Sequence, residues 1–291
     1  MAEPRPIAGL RELAADFDGW IIDQWGVMHD GRALFPGVRE VFRELKARDK
    51  RIVLLSNSGR RAARNDARLA EMGLDPALLD GSVTSGEVTW RALRRRAEPP
   101  FSELGRRCFL LTRFGDMEVV EGLDLELVED PGKADFLLIT GVDSPDKTLE
   151  DYLPIVERAA ARKIPAICSN PDLVAPVAGK LALAPGAVAR RYEELGGTVT
   201  YVGKPSPRIY RACLELLAGV PKERILAVGD SLAHDIRGAR NAGLRTVFVT
   251  SGVHREALPA ELPDAELLER VRELARCHGA LPDFVMRRLR W

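Results

Sequence analysis

The sequence predicts an α/β fold, a parallel sheet covered by helices on both faces, with a second α/β domain inserted into the first. Three observations carry this. Short apolar runs alternate with stretches of helical spacing along most of the chain, and strands alternating with helices of about 10–15 residues imply crossover connections and a parallel sheet. The middle third repeats the pattern with strands of its own. Finally, polar residues recur directly after apolar runs, at the strand ends where open α/β sheets bind ligands.

In chain order, residues 19–22 form an apolar strand that delivers Asp23, and a Gly26 turn follows. Residues 38–47 place apolar side chains at helical spacing, and residues 51–55 read as a short buried strand. A helix over about 62–72 ends at Gly73, a suitable C-cap. From 85 to about 200 the expected strands are 108–112, 136–140 and 165–169. The last third gives a helix near 209–217, a strand at 225–228, a helix from about 234 to 242 and a strand at 246–249. The expected division is therefore a discontinuous core, residues 1–84 and 200–291, with residues 85–199 inserted. The tail beyond His254 mixes Pro, Leu and charge, and a final helix or an arm packed on the core is expected there.

Composition narrows the function. Of 291 residues 46% are apolar and 30% charged, enough for a sizeable core. Lys plus Arg and Asp plus Glu number 43 each, so the formal charge is zero and nothing suggests the basic face of a nucleic-acid binder. The basic run Arg91 to Arg96 reads as the solvated face of a helix. Cys108, Cys168, Cys213 and Cys277 are widely spaced, so neither a zinc site nor a disulfide framework is expected, only reduced thiols. No run approaches the ~20 apolar residues of a membrane span and the start does not read as a signal peptide, so a cytoplasmic location is expected.

Four segments put chemistry at predicted strand ends: Asp23; Ser56-Asn57-Ser58, where a hydroxyl and turn N–H groups make an anion nest; Lys204; and Gly229-Asp230-Ser231 with Asp235 beyond. Each alone could be a helix cap or a solvated charge; four in one chain are hard to explain that way. The chemistry that fits is phosphoryl transfer to a carboxylate, with Asp23 as the nucleophile. Carboxylates beside a phosphate dianion need a counter-charge, which suits Mg²⁺. Asp23 and Asp230 are its natural ligands, with Asp235 in an outer role, while Lys204 and Ser56 hold phosphate oxygens. Gly203-Lys204 is not a nucleotide-binding P-loop: five residues, not four, separate Gly197 from Gly203, and Pro205 follows the lysine.

Together Asp23-Gln24-Trp25-Gly26-Val27, Leu55-Ser56-Asn57-Ser58, Gly203-Lys204-Pro205-Ser206-Pro207 and Gly229-Asp230-Ser231 through Asp235 resemble the haloacid dehalogenase-like hydrolases. Thr84-Ser85-Gly86-Glu87, Ser169-Asn170-Pro171-Asp172 and Ala184-Pro185-Gly186-Ala187 resemble the class IIA members, which include sugar-phosphate, nitrophenyl-phosphate and pyridoxal-phosphate phosphatases. The resemblance implies a Rossmann-like core with an α/β cap, Asp23 as nucleophile, and Mg²⁺ held by Asp23, the Trp25 carbonyl and Asp230, with Asp235 the second acid of that motif. It further implies phosphate binding by Ser56, Asn57 and Lys204, and a substrate-facing cap segment at Asn170 and Asp172. The departure is Trp25, where relatives carry an Asp that protonates the leaving group; an indole cannot. A positioned acid contributes about 10²–10⁴ in rate. Either the substrate has a good leaving group, or His29, Asp30 or a cap group supplies the proton, or turnover is slow.

The function expected is a Mg²⁺-dependent phosphatase for a small phosphorylated metabolite. The rival is a weak or inactive pseudophosphatase that binds a phosphorylated ligand; a third reading is structural, with the cap as the interface of a homodimer.

Overall fold

The computed structural model describes residues 3–177 and 180–291. The chain separates into two compact units, one of residues 1–56, 66–83 and 204–291 and the other of 57–65 and 84–203. Residues 57–65, which the sequence pattern placed with the first segment, group with the second unit. They are tied there by the Thr84 hydroxyl, which donates to the Arg60 carbonyl at 2.6 Å, and by the Arg61–Glu87 ion pair at 2.6 Å. Backbone packing contributes too, since a side chain on Gly59 would strike the Thr140 carbonyl.

The first unit is built on a seven-stranded sheet in the order Arg5–Pro6, Phe284–Met286, Arg245–Val249, Ile225–Gly229, Gly19–Asp23, Arg51–Ser56, Gly81–Thr84. From Arg5–Pro6 through Arg51–Ser56 the pairings are parallel. Gly19–Asp23 is central and buried along its whole length, as a strand covered on both faces must be. Trp20, Ile22, Ile52, Leu54, Leu226 and Val228 share one face, because side chains alternate along a strand. Helix Val38–Lys46 covers that face with Val38, Val41, Phe42 and Leu45, a spacing that lines up one side of a helix.

The tail supplies more than a helix or a packed arm. Helix Asp264–His278 buries Leu267, Val271 and Ala275, and the chain then returns as strand Phe284–Met286 inside the sheet, between Arg5–Pro6 and Arg245–Val249. The helix expected from 234 instead begins as one π-helical turn, Leu232–Ile236, followed by Arg237–Asn241. Such turns often mark functional positions.

The second unit carries a parallel five-stranded sheet, Val199–Tyr201, Ala166–Cys168, Phe136–Ile139, Arg107–Leu111, Glu126–Leu127. One face packs on Val156 and Ala159 of helix Leu153–Ala160 and on Val188 and Tyr192 of Pro185–Glu194. The other packs on Leu93 and Phe101. A separate antiparallel hairpin joins Val174–Val177 to Lys180–Leu183. The basic run is less free than its composition suggested. Arg91 pairs with Glu87, Arg94 lies over the Trp90 ring, and Arg96 ends its helix and donates to the carbonyls of Leu104 and Gly105. The four cysteines are free thiols, three of them buried. Among the described residues no helix is long and apolar enough to cross a membrane.

Candidate active site

Asp23 is the last residue of the central strand, and its register partner is Leu55, so Ser56 stands one residue further along at the same sheet end. Asp230 follows directly on strand Ile225–Gly229, the neighbour on the other side. The parallel sheet thus delivers Asp23, Ser56 and Asp230 to one edge from three adjacent strands.

Lys204 joins them. It is 4% exposed, and its Nζ donates to Asp23 Oδ1 at 2.6 Å and to Asp235 Oδ1 at 2.7 Å. Asp235 is placed by the π-helical turn; its Oδ2 accepts from the Ser231 N–H at 3.0 Å, and its backbone carbonyl accepts from the Tyr210 hydroxyl at 2.9 Å. With one oxygen on Lys204 and the other on Ser231, this carboxylate suits an outer position. Asp230 Oδ2 accepts from the Val253 N–H at 2.9 Å.

Asp23, Asp230 and Asp235 are all buried, and one ligand oxygen from each lies within 4.8 Å of the others. Burial pushes the Asp23 carboxyl up to about 7, the Asp235 charge adds to the rise, and Lys204 opposes it. Burial, then the charges of Asp23 and Asp235, raise Asp230 well above the usual carboxylate range. Burial works against the Lys204 ammonium, but Asp23 and Asp235 outweigh it and hold it charged. Three buried carboxylates facing one ammonium leave a surplus of negative charge, which is costly in a low-dielectric setting. The donor set, hard oxygens with one ammonium, fits a small divalent cation.

Two glycines make this cluster possible, and the sequence reading did not single them out as such. Gly26 has φ +81°, and a Cβ there would stand 2.1 Å from Asp230 Oδ2; on Gly252 it would stand 1.8 Å away. Both are backbone walls of the Asp230 carboxylate. The available signal was Thr250-Ser251-Gly252 directly after the apolar strand Arg245–Val249, one more polar turn at a strand end.

Trp25 is half-buried and belongs to a small looped segment with bridges from Trp25 to His29 and from His29 to Leu34. Its indole Nε1 lies 3.5 Å from where a Cβ on Gly31 would stand, so the ring is held against the Gly31 turn, where φ is +88°. Arg68 fastens that turn through the Gly31 carbonyl at 2.6 Å.

The remaining sequence-selected residues belong to the second unit. Asn57 Nδ2 donates to Asp172 Oδ1 at 2.8 Å, the Ser85 hydroxyl reaches Asn57 Oδ1 at 3.5 Å, and Asn170 Oδ1 accepts from the Asp172 N–H at 2.9 Å. Asn57, Asn170 and Asp172 thus form one polar group, with Gly203 close enough that a Cβ on it would meet Asn57 Oδ1 at 2.7 Å.

These features have counterparts in known proteins. A family model for haloacid dehalogenase-like hydrolases matches residues 20–126, and a HAD-hydrolase-like model matches residues 201–274. Mouse chronophin is 28% identical over 84% of this chain and 85% of its own length. The ribonucleotide monophosphatase NagD of Escherichia coli is 31% identical over 84% of this chain and 89% of its own. A solved haloacid dehalogenase-like hydrolase from Brucella suis superposes with a TM-score of 0.82 at 30% identity, covering 97% of this chain and 99% of that one. Strand-end carboxylates, a buried lysine and near full-length similarity point the same way: the chain belongs to the haloacid dehalogenase-like hydrolases, on their class IIA branch.

Proposed function

We propose that the protein is a Mg²⁺-dependent phosphatase that acts on a small phosphorylated metabolite by transferring its phosphoryl group to Asp23. It is thereby a phosphoric monoester hydrolase, as the similarity to the NagD monophosphatase supports. The observation that carries the reading is Lys204, buried and bonded to both Asp23 and Asp235, whose carboxylates gather with that of Asp230. A buried ammonium beside a strand-end carboxylate places positive charge where a phosphoryl group in transfer gathers negative charge.

Asp23 attacks phosphorus in line, and the bond to the leaving oxygen breaks. Lys204 offsets the charge on the equatorial oxygens, and Ser56, at the same sheet end, offers a hydroxyl to one of them. Asp235 holds Lys204 in register from the π-helical turn. Asp23, Asp230 and the Trp25 carbonyl would hold the cation, with Asp235 outside them. Mg²⁺, when bound, supplies a counter-charge to carboxylates and phosphate oxygens together. Asn57 is assigned to phosphate binding, and substrate selection to a cap of residues 85–199, with Asn170 and Asp172 as its candidate contacts. A cytoplasmic location suits the four free thiols.

The second reading, a pseudophosphatase that binds a phosphorylated ligand without turning it over, is favoured by Trp25 alone. Phosphate release from para-nitrophenyl phosphate, with and without Mg²⁺, separates the two. Metal-dependent release that Asp23→Asn abolishes supports the phosphatase. Absence of release from folded protein that binds Mg²⁺ supports the binder.

A further inference from the structure

We propose that Trp25 restricts this site to activated phosphoryl donors, aryl and acyl phosphates whose leaving group departs as a stable anion, and makes breakdown of phospho-Asp23 the slow step. The inference rests on the phosphatase reading above and specifies its substrate class.

Departure of an alkoxide needs a proton, and the family resemblance puts the donor in the segment after Asp23. Trp25 offers only an indole N–H, far too weak an acid, and its ring is held against the Gly31 turn. His29 is 9% exposed, and its Nδ1 accepts the Gly31 N–H at 3.0 Å. In that bonded state the ring is a neutral imidazole with Nε2 carrying the hydrogen, and a neutral imidazole is a poor acid. Asp30 Oδ1 accepts from the N–H groups of Arg32 at 2.8 Å and Ala33 at 2.9 Å. Those bonds favour the ionised carboxylate and tie it to its own turn. His29 and Asp30 thus both help to shape one loop. Deeper in, Lys204 is bonded to two carboxylates, and Asp235 to Lys204 and Ser231. Among the described residues of the first unit, none of these groups stands ready to protonate an alkoxide.

The consequences differ for the two half-reactions. In the first, an Asp23 oxygen bonds to phosphorus while the bond to the leaving oxygen breaks and that oxygen keeps the electron pair. A phenolate or carboxylate carries the pair unaided; an alkoxide does not. In the second, a water oxygen bonds to phosphorus, the bond to Asp23 breaks, the carboxylate is regenerated, and the water proton passes to solvent or to the phosphate formed. By microscopic reversibility the group that gives a proton in the first step takes one in the second. Without it, activated donors load Asp23 faster than water empties it.

The test is a leaving-group series: para-nitrophenyl, phenyl and alkyl phosphates together with acetyl phosphate, all with saturating Mg²⁺, for native protein, Trp25→Asp and Asp23→Asn. Native kcat/KM is expected to fall steeply as the leaving group becomes more basic, with alkyl phosphates about 10²–10⁴ slower than acetyl phosphate. Protein quenched during steady-state turnover of acetyl phosphate should carry close to one phosphoryl group per chain. Trp25→Asp should flatten the series and lower the phosphorylated fraction. A flat native series, or turnover with no phosphorylated protein, overturns the inference while leaving the phosphatase reading intact, and the flat series would mean a proton donor elsewhere. The native series decides even if Trp25→Asp fails to fold. No Asp23-dependent release from any donor would overturn both.

Discussion

Replacing Lys204 by Met tests whether this ammonium is what makes three buried carboxylates tolerable. The native Nζ lies 2.6 and 2.7 Å from two carboxylate oxygens in a site where Lys204, Asp23 and Asp235 are each under 10% exposed. Removing one partner of a buried ion pair typically costs about 3–5 kcal/mol, because the other charge stays buried without compensation. Met preserves the length and apolar stem, so cavity formation adds little. For a domain of this size about 1 kcal/mol moves the melting midpoint by about 2–4 °C, so a drop on the order of 10 °C is expected. The assay is thermal unfolding in EDTA at pH 8, followed by circular dichroism. The drop should be smaller at pH 5, where the raised Asp23 and Asp230 carboxyls can take up protons instead of staying charged. Adding Asp23→Asn to Lys204→Met should recover part of the loss, since one surplus charge goes with it. A Lys204→Met protein that melts at the native midpoint at pH 8 would refute the reasoning.

Gly252→Ala should press a methyl onto the Asp230 carboxylate, whose Oδ2 would stand 1.8 Å away, and lower Mg²⁺ affinity by about 10–100-fold in calorimetric titration; unchanged affinity would mean that Asp230 is not a ligand. His254 gives a pH signature: burial first, then the charges of His278 and His234, hold its imidazole below the ordinary range, and its ring meets those of Phe248 and His278. A group depressed in the folded state contributes stability above its unfolded pKa of about 6.5 and loses it as pH falls below that value. Native protein should therefore lose stability on acidification from pH 7 in urea titrations, and His254→Phe should lose less; parallel curves would contradict this.

Much of the site was legible because a parallel sheet obliges strand ends to converge. Asp23 and Asp230 each follow an apolar strand, and the two strands are neighbours, so a reading of runs and interruptions finds both. Lys204 was read in the same way, at a strand end; the strand before it, Val199–Tyr201, belongs to the five-stranded sheet. Side-chain engagement was less visible. Nothing local announces that the Val253 N–H holds Asp230, or that Gly26 and Gly252 wall it in, since those contacts join residues distant in sequence. The π-helical turn escaped because its residues fit an α-helical pattern equally well. Short strands such as Glu126–Leu127 and Phe284–Met286 carry too few residues to show alternation, and their partners lie elsewhere in the chain. Residues 57–65 group with the second unit through Thr84 and Glu87, contacts with no sequence signature of their own.

The same looped segment shows how a sequence can offer candidates that geometry then commits elsewhere. His29 and Asp30 are close to Trp25 in the chain and chemically able to move protons. Each instead accepts from backbone N–H groups of residues 31–33, His29 through Nδ1 and Asp30 through Oδ1. Asp at the start of a tight turn commonly does this, which is why proximity in sequence is weak evidence for a catalytic role.

The central claim is that Asp23 itself carries the phosphoryl group. Peptide mapping of protein quenched during turnover of acetyl phosphate, after reduction of any acyl phosphate with borohydride, tests it most directly. The expected result is modification confined to Asp23 and absent from Asp23→Asn. Metal-dependent phosphate release that persists in Asp23→Asn, or a label on another residue, would contradict it.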